Sequence, residues 1–137
     1  MTNIDYSQLI TAEQKTEQAR QAVIASIAAR RWQAETAGID VAGMHIETDD
    51  RSKALITGSA IKAMRSAAYT LNWKTPEGFI QIPAEQVLAM ADAVSDHVQA
   101  CFNREAELLA ALEAGTFIVE MLEEGWPNEP VPESAPS

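Results

Sequence analysis

A chain of 137 residues has room for one domain and can bury a core without disulfide or metal staples. Hydrophobic residues make up 47% and charged residues 22%, ordinary for a globular protein and against wholesale disorder. Ten Lys and Arg against 20 Asp and Glu leave a formal net charge of −10, which repels a phosphate backbone and argues against nucleic-acid binding.

The nearest approach to a basic patch is Arg30 and Arg31, with Arg20 further up the same helix, and it is small. Cys101 is the single cysteine, so neither an intramolecular disulfide nor a thiolate metal cluster is expected. The first residues lack a basic stretch followed by an apolar one, so no signal peptide is read. No run of ~18 apolar residues is present, so no membrane span or membrane partner is expected.

Residues 1–22 read as a polar helical lead. Thr11 and Gln14 have the spacing of a capping box, and the Ala-, Gln-, Glu- and Arg-rich stretch that follows predicts a helix to about Ala37. Its first half is polar nearly all round. Its second half carries Val23, Ile24, Ile27, Ala28 and Trp32 on one face, which predicts a core stripe. Residues 23–115 are expected to form the single domain.

Gly38 stops that helix. Ile39–Val41 and Met44–Ile46 alternate about Ala42-Gly43, the pattern of a two-residue hairpin. Thr48, Asp49 and Asp50 are good caps for a second helix whose buried side is expected to hold Leu55, Ile56, Ile61 and Met64. Gly58 inside it signals either close approach of another backbone or a kink. Tyr69–Lys74 and Gly78–Ile82 form a second hairpin around Thr75–Gly78. Pro83 opens a long helix ending at Gly115. In it Val87, Ala91, Val94, Val98, Cys101, Leu108 and Leu112 make a heptad-like seam with Glu105 as the one polar member, usable within the fold or between chains. Residues 116–125 add a short element. Residues 126–137, with four of the six prolines and no basic residue, read as an acidic disordered tail.

The expected fold is therefore α+β, with two long helices and a shorter one packed on a small antiparallel sheet formed from two β-hairpins. Neither hairpin is stable alone, so they should pair with each other or share helix cover.

Candidate chemistry is sparse. His97 and Cys101 stand four residues apart, the spacing of a metal or nucleophile–base pair, but a buried structural pair is the simpler reading. His45 with His97 and Asp49 or Asp50 is too thin a set for a metal site, and none is expected. No phosphate-cradling glycine loop or serine elbow is found, so no cofactor and no catalytic residue is assigned. The partner-binding candidates are Trp73 with Lys74, an aromatic–cation pair on a strand, Trp126 in the acidic tail, and Arg30 with Arg31.

The stretches RWQAETAGIDVAGMHIETDDRSKALITGSAIKAM, NWKTPEGFIQIPAEQ and VSDHVQACFNREAELLAAL together resemble a phage and prophage domain of unknown function, number 4376, found in or beside tail-fibre proteins. The resemblance covers about residues 24–115. It carries no catalytic or binding residues over. Its setting implies a non-enzymatic tail-fibre-associated protein that binds fibre polypeptide as an assembly factor, in the host cytoplasm during assembly. The alternatives are a permanent module of the tail tip or fibre base, in the virion tail, and a metal-dependent or cysteine hydrolase. Self-association through the long helices is the other partner expectation.

Overall fold

Thr11 caps the first helix, α1 (Ala12–Glu35), as its spacing to Gln14 predicts. Thr11 Oγ1 accepts from the Gln14 N–H at 3.1 Å, and Gln14 Oε1 accepts from the Thr11 N–H at 3.0 Å. The computed structural model describes residues 11–127; the first ten residues of the expected polar lead, and all of the tail expected over residues 126–137 beyond Pro127, lie outside the described residues. At the other end of α1, Gly38 takes φ +90°, and a Cβ there would sit 2.5 Å from the His45 ring. The Gly38 N–H donates to Thr48 Oγ1 at 2.9 Å, and the Thr48 hydroxyl donates to the Glu35 carbonyl at 2.6 Å. Thr48 is fully buried and is thus a staple across the loop rather than a cap.

Strands β1 (Ile39–Val41) and β2 (Met44–Ile46) pair in the register that alternation predicts, Ile39 opposite Ile46 and Val41 opposite Met44. Their two-residue turn has Ala42 at φ 52° and Gly43 at φ 78°, both left-handed, as a type I′ turn requires. Alanine is a poor residue for that conformation. Replacing exposed Ala42 with Asn, which tolerates it, is expected to stabilise the protein by about 1 kcal/mol, read as a raised urea midpoint at unchanged slope.

The second helix, α2 (Asp50–Arg65), is capped by Asp49, whose carboxylate accepts from the Ser52 N–H at 3.1 Å. Of the four residues expected on its inner face only Ile56 is there. Ile56, Ser59 and Ala63 are buried, whereas Leu55, Ile61 and Met64 are 52%, 50% and 75% exposed. At 100° per residue Ile61 lies on the opposite side from Ile56 and Ala63 and Met64 about a quarter-turn from them, and small residues inside let α2 lie close on the third helix. Gly58 is on the exposed side, and a methyl added there would meet no heavy atom within 4 Å, so neither a backbone nor a side chain of this fold uses it. Gly58→Ala is expected to stabilise by about 0.5–1 kcal/mol through backbone entropy, seen as a higher thermal midpoint.

Strands β3 (Thr70–Thr75) and β4 (Gly78–Pro83) form the second hairpin, with Leu71 opposite Ile82 and Trp73 opposite Ile80. The hairpins do not join into one sheet; each is a separate two-stranded sheet. Each finds its burial by sharing helix cover, since Ile39, Ile46 and Ile82 enter the same core as Val87 and Met90 of the third helix. That helix, α3 (Ala84–Ala114), follows Pro83 and ends at left-handed Gly115. At ~1.5 Å per residue it is about 46 Å long, enough to serve two cores in turn.

One core joins α2, both hairpins and the first half of α3 through Ile56, Ala63, Val87, Met90 and Val94. The other joins α1 to the second half of α3 through Ile27, Ala34, Cys101, Leu108 and Trp126. The heptad-like seam of α3 is therefore spent inside the fold. Val87, Val94, Cys101 and Leu108 are all buried, and Glu105 is tied to Arg31 at 3.1 Å. Trp32, expected in the core, is 46% exposed. After Gly115 a 3-10 helix (Val119–Glu123) leads to Trp126, which is 4% exposed and belongs to the domain rather than to a tail.

Candidate functional site

The two hairpins leave a gap between them. A cavity of about 340 Å³ lies there, walled by His45 of β2 and Glu47 just after it, Ser52, Leu55 and Ser59 of α2, Leu71–Lys74 of β3, and Phe79 of β4. A second cavity of about 590 Å³ shares His45 and continues to the hairpin tips, touching Met44, Thr75, Pro76 and Ile80. Together they make one cleft running along β2 and β3. Each sheet has only two strands, so β2 and β3 each keep an edge that no other strand covers among the described residues. In the tight first hairpin Val41 and Met44 form the hydrogen-bonded pair, which turns the backbone N–H and C=O of His45 away from β1.

The cleft is amphipathic. Phe79 is 71% exposed and Leu55 about half exposed, while Trp73 is half-buried against the first core. Lys74 has no carboxylate within ion-pair distance among the described residues. The His45 ring lies between Asp40, 3.1 Å from Nδ1, and Glu47, 3.3 Å from Nε2. Apolar faces bounded by a few polar groups and open backbone edges suit an extended polypeptide.

Of the five partner-binding candidates in the sequence, only Trp73 and Lys74 line this cleft. Arg31 is engaged by Glu35 at 2.6 Å and Glu105 at 3.1 Å, and its guanidinium covers the Phe102 ring at 4.7 Å. Arg30 sits 3.7 Å from Glu123 and 5.2 Å over the Trp126 ring. Trp126 is buried, and its indole N–H donates to the Leu122 carbonyl at 2.8 Å. These three hold α1, α3 and the C-terminal segment together. Phe79 is the wall residue that sequence reasoning misses. Alternation in Gly78–Ile82 puts it with Gln81, away from Ile80 and Ile82, and that outward phase is the available signal.

Glu35 is the centre of the charged cluster, with Lys53 as its second partner. Burial alone pushes the Glu35 carboxyl up, but hydrogen bonds and charge from Lys53 and Arg31 outweigh it and hold the group below its ordinary value. His97 and Cys101 do meet, with Sγ 3.9 Å from Nε2, yet that nitrogen already faces the Ala34 carbonyl at 2.9 Å. Burial first, and the nearby Glu35 charge second, push the Cys101 thiol up to about 11. A thiol so placed stays protonated at neutral pH and is a poor nucleophile. His45 and His97 are not brought into one site: the first is on an exposed hairpin, the second is buried against α1. Among the described residues no group of three or more His, Cys, Asp or Glu could hold a metal, and no helix is long and apolar enough to cross a membrane.

The family model described as a domain of unknown function, DUF4376, matches residues 18–124, and the chain belongs to that family. The match takes in most of α1 and the segment after Gly115, wider at both ends than the motifs alone suggest. No curated protein and no solved structure matches the chain.

Proposed function

We propose that this member of the DUF4376 family is a non-enzymatic, tail-fibre-associated assembly factor that holds a segment of fibre polypeptide in the cleft between its hairpins. The observation that carries the binding part is the cleft itself, with two uncovered strand edges and the Trp73, Lys74 and Phe79 side chains on its wall. An extended segment laid there gains backbone hydrogen bonds from an edge and apolar contact from alternate side chains. The tail-fibre part is supported by the setting of the proteins whose E-T-A-G-I and H-V-Q-A-C-F motifs this chain resembles.

Co-expression of the chain with the fibre polypeptide of a phage that encodes both tests the reading. The fibre polypeptide is expected to be recovered folded with the wild-type chain, and to be lost to aggregate with a Trp73→Ala, Phe79→Ser double variant that keeps its helical circular dichroism. Equal recovery with both chains, or without either, removes the cleft from the account.

A further inference from the structure

We propose that the outward face of α2 docks an acidic amphipathic helix of a partner polypeptide. This goes beyond the cleft reading and does not depend on it. The helix has two apolar arcs. The inner one, through Ile56 and Ala63, is covered by α3; the outer one, Ala54, Thr57, Gly58, Ile61 and Met64, has the i, i+3, i+4, i+7 spacing of a helix-packing stripe and is exposed throughout. The Thr57 hydroxyl donates to the Lys53 carbonyl at 2.9 Å, so its polar atom is satisfied within the helix. Gly58 in the middle of the stripe costs helix stability and meets nothing in the fold; a helix crossing at that point is what an absent side chain admits. Met64 adds an adaptable apolar contact at one end.

Charge decides the partner's chemistry. Arg51, Lys62 and Arg65 border this arc, and none has a carboxylate within ion-pair distance among the described residues. Of the other cations Arg20, Arg30, Arg31, Lys53 and Arg104 are paired. Among the described residues Lys15 and Lys74 are not, each the one unpaired cation on its element. Three unpaired cations along one helix are conspicuous in a chain of net charge −10. Lys62 and Arg65 favour the negative end of the α2 dipole, but Arg51 stands in the first turn, where a positive charge opposes it. A partner with carboxylates beside its apolar stripe satisfies all three. A second copy fits worse, because antiparallel pairing of α2 with α2 centred on Gly58, where the missing side chain allows the closest approach, sets Arg51 against Arg65. An anionic membrane fits worse too, since the rest of the chain repels it.

The test uses the full chain and a synthetic amphipathic helix with leucine at i, i+3, i+4 and i+7 and glutamate on its flanks, followed by NMR shifts and fluorescence anisotropy. Saturable binding with shifts confined to the outer arc is expected, weakening as salt rises. Ile61→Asp and Lys62→Glu, both at exposed positions, should each weaken it by ~10-fold, equivalent to about 1.4 kcal/mol. Trp73→Ala should leave it unchanged. The proposal is overturned if the same peptide with lysine for glutamate binds as tightly, if the shifts fall elsewhere, or if no binding is seen. It is equally overturned if sedimentation shows a wild-type dimer that Ile61→Asp dissociates, or if phosphatidylglycerol vesicles displace the peptide.

Discussion

Trp126→Ala is expected to cost about 3–5 kcal/mol, the usual range for removing a large aromatic from a core. The ring is 4% exposed and closes the core of Ile27, Ala34, Cys101 and Leu108. Its loss also strips the cation–π cover from Arg30 and the hydrogen bond to Leu122. Thermal unfolding should shift down by roughly 10 °C or more for a chain of this size. A docking tryptophan would behave differently: its removal would leave the thermal midpoint in place and weaken only a partner. The C-terminal segment therefore acts as a strap, with Arg104 holding it by donating to the Glu124 carbonyl at 2.9 Å and the Met121 carbonyl at 3.1 Å.

Arg31→Met is expected to cost about 3 kcal/mol, because it leaves a carboxylate in the interior short of a partner. The methionine keeps the apolar stem over Phe102, so the loss reports on charge rather than packing. The Glu35 side chain is 6% exposed and would keep only Lys53, while Glu105 would face an apolar seam alone. The pH dependence gives a second readout. The folded Glu35 group lies below its ordinary value of 4.5, so its contribution is complete above that pH and is lost as pH falls through the lower folded value. In Arg31→Met one of the two cations that hold the folded value down is gone, so that value rises. Acid unfolding followed by circular dichroism should then show a shallower loss of stability below pH 4.5 than in the wild type.

Much of the fold can be read from local pattern. Alternation about Ala42-Gly43 sets the register of the first hairpin, Thr11 and Gln14 cap α1, and Gly115 marks the end of α3. Those features depend on residues within a few positions of one another. What local pattern misses is long-range. Arg30 and Arg31 look like a free basic pair in the sequence because Glu123 and Glu105 that engage them are far along the chain. Trp126 looks stranded because its core partners sit on α1 and α3. Periodicity alone turns α2 the wrong way because it carries two apolar arcs, and the smaller residues, Ser59 and Ala63, face inward. The cleft is half legible: Trp73 and Lys74 stand out as an aromatic–cation pair, but that β2 lies beside β3 without pairing depends on how both hairpins meet α3.

The proposed role as an assembly factor is tested most directly by quantitative mass spectrometry of purified virions and of the lysate they came from, for a phage whose genome encodes the chain. The expected result is the chain in the lysate, associated with unassembled fibre polypeptide, and its absence from finished particles. Recovery from virions in fixed ratio to the fibre polypeptide would contradict that role and make the chain a permanent part of the tail.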